Sequence, residues 1–232
     1  MQLLSTLLCG VLASSAVVSA GWTSTDSKGR TPRSRPHSTP NPYSPGKSNP
    51  PSAPRTKTCF VNALGGGADD GPSILAAAKA CNHGGKVALL DPLYTIGTAL
   101  DLKFLDRVDI VIQGRVLFTP DITYWVNNSF KYAFQDSSTF WKIGGKDVNI
   151  YGGGTLDGNG QVWYDAFASD KTLKRPILLS LDGLNGGSVT GIKMVQSPNW
   201  FNIAIDSSNV IYSDLNISVK SNSTNDAKNT GK

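Results

Sequence analysis

Gly144-Gly145-Lys146-Asp147-Val148-Asn149-Ile150-Tyr151-Gly152-Gly153-Gly154-Thr155-Leu156-Asp157-Gly158-Asn159-Gly160 decides the fold. Its short β-branched runs alternate with glycine turns too quickly for helices, so the stretch reads as one rung of a β-solenoid. Ile110-Val111-Ile112, Val148-Asn149-Ile150, Val189-Thr190-Gly191-Ile192 and Val210-Ile211 recur as equivalent bites. From Val148 to Val189 is 41 residues and from Val189 to Val210 is 21, which predicts two turns and then one turn of a common period. A stacked coil needs such recurrence, because each rung buries its inner side chains only against its neighbours. Leu215-Asn216-Ile217-Ser218-Val219 alternates cleanly, so Asn216 is expected to face outward while Leu215, Ile217 and Val219 face the core.

The 232 residues divide by composition. Residues 1–20 read as a cleaved secretion signal, with Leu3, Leu4, Leu7, Leu8, Val11, Leu12, Val17 and Val18 as its apolar run and Val18-Ser19-Ala20 as its cleavage site. Ser5, Thr6, Gly10, Ser14 and Ser15 interrupt that run, which argues against a membrane span. Residues 21–57 are rich in Ser, Thr, Pro and Arg and are expected to form a disordered tail, leaving 58–232 as the folded body. The tail holds seven basic side chains against Asp26 alone, a net of +6, while the whole chain carries +5, so the body is near neutral at −1. A basic tail on a near-neutral body does not suggest nucleic acid.

Asp69-Asp70-Gly71-Pro72-Ser73-Ile74 reads as a helix start, with Ile74, Leu75, Ala78 and Cys81 on one face and Asn82-His83-Gly84-Gly85 as the stop. Asp69 and Asp70 are therefore expected to cap this helix rather than to form a catalytic pair. No convincing helix is expected after Gly85, nor one behind the glycine run at 152–160. Once the signal is removed, Cys59 and Cys81 are the two remaining cysteines, and a disulfide between them is the default in an oxidising compartment. Acceptor triplets for N-glycans begin at Asn127, Asn216 and Asn222. The detour between Ile112 and Val148 carries Phe118, Tyr124, Trp125, Phe130, Tyr132, Phe134, Phe140 and Trp141, rings that pack onto the solenoid wall or line a carbohydrate groove.

Three segments in order carry a family resemblance: Gly152 to Tyr164 (GGGTLDGNGQVWY), Ser197-Pro198-Asn199-Trp200-Phe201, and Asn225-Asp226-Ala227-Lys228-Asn229-Thr230. Together they resemble the polygalacturonase family of glycoside hydrolases, over the stretch from about Cys59 to Thr230 and most closely its secreted exo-acting members. The resemblance implies an all-β fold, a right-handed parallel β-helix with one short N-terminal capping helix. It also implies inverting hydrolysis of α-1,4 bonds in polygalacturonate, without a cofactor or metal. Inversion needs two carboxyls roughly 6.5 to 9.5 Å apart, one protonating the leaving oxygen and one holding water. The family takes them from an Asn-Thr-Asp-Gly motif and an Asp-Asp pair one rung later; a Gly-His-Gly histidine and an Arg-x-Lys pair follow.

Asn229 and Thr230 match the first two positions of that motif, and Gly231 stands where its aspartate belongs. His37 and His83 lie in no Gly-His-Gly setting, and the chain contains no glutamate. Asp206, Asp214 and Asp226 lie near the expected cleft, but the motif gives none of them a catalytic role. The expectation is a truncated exopolygalacturonase, inactive as written and poorly soluble when expressed alone. It would be a secreted, extracellular monomer whose partner is pectin, not nucleic acid or membrane. A non-catalytic pectin-binding solenoid is the main alternative. A pectate lyase would use calcium, and no clustered Asp ligands at calcium spacing are visible.

Overall fold

The computed structural model describes residues 51–227. The expected signal, most of the expected tail, and Asn229 and Thr230 lie outside the described residues. The chain winds in successive coils. The first holds β1 (Lys57–Val61) and α1 (Gly71–Ala80), and the second β2 (Gly85–Leu89) and β3 (Leu93–Ile96). The third holds β4 (Leu100–Ile112) and β5 (Arg115–Phe118), followed by an excursion of α2 (Ile122–Asn128), β6 (Phe130–Tyr132), a 3-10 turn (Phe134–Asp136) and β7 (Ser137–Thr139). The fourth holds β8 (Trp141–Tyr151), β9 (Thr155–Asp157), α3 (Gln161–Ser169) and β10 (Pro176–Ile177). The fifth holds β11 (Leu179–Thr190) and β12 (Lys193–Val195), and the sixth β13 (Asn202–Ile205), β14 (Ser208–Ser213) and β15 (Asn216–Ser218).

Strands of successive coils pair in parallel. One sheet runs β1-β2-β4-β8-β11, with β13 and β14 both pairing β11; a second runs β15-β12-β9-β5-β3. This is a right-handed parallel β-helix, the hand that parallel crossovers take. Val87, Ile110, Ile150 and Val189 lie in one register column and are each at most 3% exposed. Burying such a side chain contributes about 1.5–3 kcal/mol, and no coil achieves it alone.

The column corrects the expected period. Val87 pairs with Ile110 and Val189 with Tyr212, each 23 positions on, whereas Ile110 pairs with Ile150, 40 on, and Ile150 with Val189, 39 on. The coils holding Val148 and Val189 are thus direct neighbours, and the extra length is excursion: α2 to β7 in one, α3 to β10 in the other. The excursions also overturn the expectation of no helix after Gly85, since α2 and α3 both form and α3 begins directly behind the glycine run. Its residues Gln161 to Ser169 bury Trp163 and Tyr164. Gly152 holds φ +135°, and a Cβ there would meet the Ile112 carbonyl oxygen at 2.1 Å, so only glycine lets the turn approach the coil below.

α1 is alanine-rich and has Pro at its start, as expected, and Ile74 and Ala78 are buried. Its capping differs from expectation. Asp70 occupies the N-cap position, but its carboxylate accepts from the Leu64 and Thr95 amides at 2.7 Å each instead of from the helix. Asp69 accepts from Gly97 N at 2.7 Å and from the Thr98 hydroxyl as well as from Gly71 N. Both acids fasten the cap to the next coil. Cys59 and Cys81 form a disulfide that joins β1 to the end of α1.

The body begins earlier than residue 58. Asp109, Asn149 and Ser188 form an outward-pointing column next to the apolar one, yet each is at most 3% exposed. Ser188 donates to Asn149 at 2.9 Å, and Asn149 donates to Asp109 at 3.2 Å and to Ser52 at 2.9 Å. Arg55 crosses over them. Its Nε donates to Asp109 at 2.9 Å and its terminal nitrogens to the Asp147 carboxylate at 3.0 and 3.1 Å and the Asp147 carbonyl at 2.9 Å. The end of the expected tail is therefore a strap, because it covers polar groups that the stack leaves unburied. At the last described coil Asn216 is exposed, as expected, and Ile217 continues the core-facing column of Met194 and Leu156, yet it is 48% exposed. Its column partners Met194 and Leu156 are buried by the strands that follow them, and no later coil lies among the described residues to cover Ile217.

Arg55→Ala leaves two carboxylates facing a buried gap, and urea unfolding is expected to lose about 3–5 kcal/mol. Burial alone would raise the Asp147 carboxyl, but hydrogen bonds from Arg55 and Ser52 outweigh it and hold it below its ordinary value. Its folded pKa is thus below its unfolded one, so its contribution is complete above pH ~4 and is lost as pH falls further. The melting temperature of the native chain is expected to drop more steeply below pH ~4 than that of Arg55→Ala. Reduction of the Cys59–Cys81 link, whose cysteines are 22 positions apart, should lower stability by about 3 kcal/mol in the same titration.

Candidate functional site

Strands β9, β12 and β15 pair in register, so the segments that follow them, 158–161, 196–201 and 219–227, are stacked on one edge of the sheet. They are stitched together. Gly158 N donates to Val195 O at 3.0 Å and Gln196 N to Ser218 O at 3.1 Å; the Gln196 side chain spans Lys220 N and O at 2.7 and 2.8 Å. The Tyr164 hydroxyl, buried under α3, donates to Ser197 O at 2.9 Å. Gly160 admits this ring, since a Cβ there would meet the hydroxyl at 2.2 Å.

Helix α3 presents Gln161 and Asp165 one turn apart. The Gln161 carbonyl accepts from Asn222 N at 2.8 Å, and its amide donates to Asp165 at 3.1 and 3.2 Å. Asp165 also accepts from Ser223 Oγ at 2.7 Å and Asn225 Nδ2 at 2.9 Å. The segment leading to Asn229 and Thr230 is thereby bolted to α3 four residues before that pair. Phe167, Lys171, Asn225 and Asp226 help to line a hollow of about 240 Å³ beside it.

The carboxylates of this region act as acceptors. Hydrogen bonds from Asn225, Ser223 and Gln161 hold Asp165 below its ordinary pKa. Asp182 takes ammonium groups from Lys103 at 2.8 Å and Lys142 at 3.0 Å; burial would raise it, but those bonds and one from Tyr132 keep it low. Asp157 pairs with Arg115 and accepts from Asn159 N at 2.8 Å. Asp206 and Asp214 sit at turns around β14 with φ of 49° and 52°, and Asp226 is exposed at the hollow. Each carboxylate with a displaced pKa among the described residues is displaced downward, the direction that suits an ion-pairing or accepting group and not a general acid. Among the described residues no three His, Cys or Asp side chains gather closely enough to hold a metal ion.

Most of the aromatic detour is core. Phe118 stacks on Phe140 at 4.2 Å, with Trp125 edge-on to Phe140 at 4.7 Å and Trp141 edge-on to Phe118 at 5.5 Å, all four buried. Phe130 and Tyr132 flank the Lys142 ammonium at 5.2 and 4.8 Å. Phe134 remains exposed. Asn127, Asn216 and Asn222 are exposed on α2, on β15 and in the segment after it. Sequence reasoning missed Gln161, Asp165 and Arg175. Recognising α3 would have brought the first two onto one face; Arg175, buried between Phe167 at 3.8 Å and Pro198 O at 2.7 Å, carries no local signal.

Residues 93–231 match the family model described as glycosyl hydrolases family 28. The chain is 52% identical over 190 residues to exopolygalacturonase X-1 of Emericella nidulans, covering 82% of this chain and 44% of that protein. It is 50% identical over 192 residues to an exopolygalacturonase of Cochliobolus carbonum, covering 82% and 43%. The chain thus spans less than half the length of the curated relatives it matches. Its fold matches the endo-xylogalacturonan hydrolase of Aspergillus tubingensis with a TM-score of 0.66 and 30% identity, over 75% of this chain and 46% of that one. It also matches an exopolygalacturonase of Thermotoga maritima with a TM-score of 0.58 and 18% identity, over 72% and 48%. With the family model covering more than half of its length, and the coils and edge segments arranged as described, the chain belongs to glycosyl hydrolases family 28.

Proposed function

We propose that the whole protein to which these coils belong releases terminal galacturonate from polygalacturonate by inverting hydrolysis, and that it works as a secreted, glycosylated monomer on pectin. The observation that carries the reading is the bolted edge. Ser197–Trp200 and the segment 221–225 are fixed in adjacent coils by Tyr164, Gln161 and Asp165, which supports a rigid seat for a motif beginning at Asn229. Half-identity to exopolygalacturonases over 82% of the chain supports terminal attack. The leader-like residues 1–20, the disulfide and the exposed Asn127, Asn216 and Asn222 support secretion and glycosylation.

A second reading, a pectin-holding solenoid without catalysis, is favoured for these 232 residues taken alone. Gly231 replaces the motif's aspartate, and the displaced carboxylates are all acceptors. The test is a reducing-end assay on polygalacturonate alongside a binding titration of the same preparation. Binding without release of galacturonate is the expected outcome; release would show that another carboxylate supplies the acid, and a lack of binding would remove pectin as the ligand.

A further inference from the structure

Phe134 is 56% exposed, unlike the buried rings of the same excursion. The two residues after it, Gln135 and Asp136, both hold positive φ, 48° and 47°, a region that side chains other than glycine rarely adopt. Strain of this kind persists where the surroundings impose it, and here no apolar burial accompanies it. The Phe134 ring stands 6.1 Å from that of Trp200 at 52°. Trp200 belongs to a later coil and is partly exposed, less so than Phe134; its carbonyl accepts from Leu178 N at 3.2 Å and Ser197 Oγ at 2.7 Å, so its backbone is fixed. Lys174 pairs with Asp136, two residues after Phe134, and both side chains are well exposed, at 49% and 74%.

Aromatic faces set at an angle receive the C–H face of a sugar ring, and an ammonium at their border receives a carboxylate. An exposed ion pair holds its partners weakly, so an incoming carboxylate can take the place of Asp136 at Lys174. The segment carrying Trp200 lies one coil before the one that leads to Asn229 and Thr230, which puts this step along the same edge. We propose that Phe134, Trp200 and Lys174 form a binding step for one uronate residue of the polygalacturonate chain, beside the motif rather than within it. The assignment rests on the pectin reading above and adds the residues that would hold the acidic sugar.

The test is calorimetric titration of the 232-residue chain with a short oligogalacturonide and with its methyl ester. Phe134→Ala is expected to weaken binding about two- to tenfold, and Trp200→Ala at least as much. Lys174→Gln should weaken binding of the free acid while leaving that of the ester unchanged. Phe134 and Lys174 are exposed, so their variants should keep the native urea midpoint even if Trp200→Ala does not. Native affinity in both exposed variants would overturn this step and leave the pectin reading standing, whereas absence of binding by the unaltered chain would overturn both. Equal affinity for the acid and the ester in the unaltered chain would overturn the role of Lys174 and with it the uronate assignment.

Discussion

Parallel pairing in register, shifted by one residue only between Leu102 and Leu105 on β4 and between Leu181 and Leu184 on β11, is the constraint on which this structure depends. A residue buried in one coil dictates an apolar residue directly above it, which is why Val87, Ile110, Ile150 and Val189 share a column although they are unequally spaced in sequence. A coil takes up more than a single bulged residue only where it leaves the stack and returns to the same register position. Both excursions obey this rule, and each brings its own buried ring: Trp125 on α2 and Trp163 on α3. The rings meet at Phe140, so the excursions pack against the wall and against a shared cluster.

The outward column of Asp109, Asn149 and Ser188 follows from the same register. Side chains alternate along a strand, so every apolar column has a neighbour facing the other way. Here that neighbour is polar, hydrogen-bonded along the stack, and closed by Arg55. A slip of one residue would turn Asp109 and Asn149 into the core and leave their partners unpaired, at a cost far above that of losing one apolar contact. The strap therefore seals a ladder that also fixes the register, and Arg55 is buried because its partners are.

The fold was largely legible in the sequence, because short apolar bites between glycine turns have few other solutions. Coil length was not. Val148 and Val189 looked two turns apart because an excursion of α3 and its flanking loop imitates the length of a second coil. Helix α3 was hidden by the glycine run before it and by a mixed face of Trp, Tyr and Asp, and with it went Gln161 and Asp165 as a pair. Arg55 was hidden differently: a basic residue among Pro and Ser reads as solvated tail, and nothing local reveals two aspartates 54 and 92 positions away. Long-range charge pairing leaves no periodic trace.

The same distinction explains why the candidate site reads as a seat. Catalytic acids need a carboxyl whose pKa is raised, by burial away from cations and donors. Asp165 and Asp182 are each surrounded by donors or ammonium groups, which fixes their geometry and keeps them ionised. A group held that firmly positions neighbouring chain well and transfers protons poorly. Gln161 and Asp165 spend their bonding capacity on the backbone and side chains of 221–225, so the edge is rigid before any substrate arrives. Rigidity at that point is what a positioned acid or base in an adjacent coil would require, since a displacement of about 1 Å is enough to cost two orders of magnitude in rate. The bolted edge is thus intelligible as support for chemistry carried by other residues, and the stacked coils are what make such support transferable from one rung to the next.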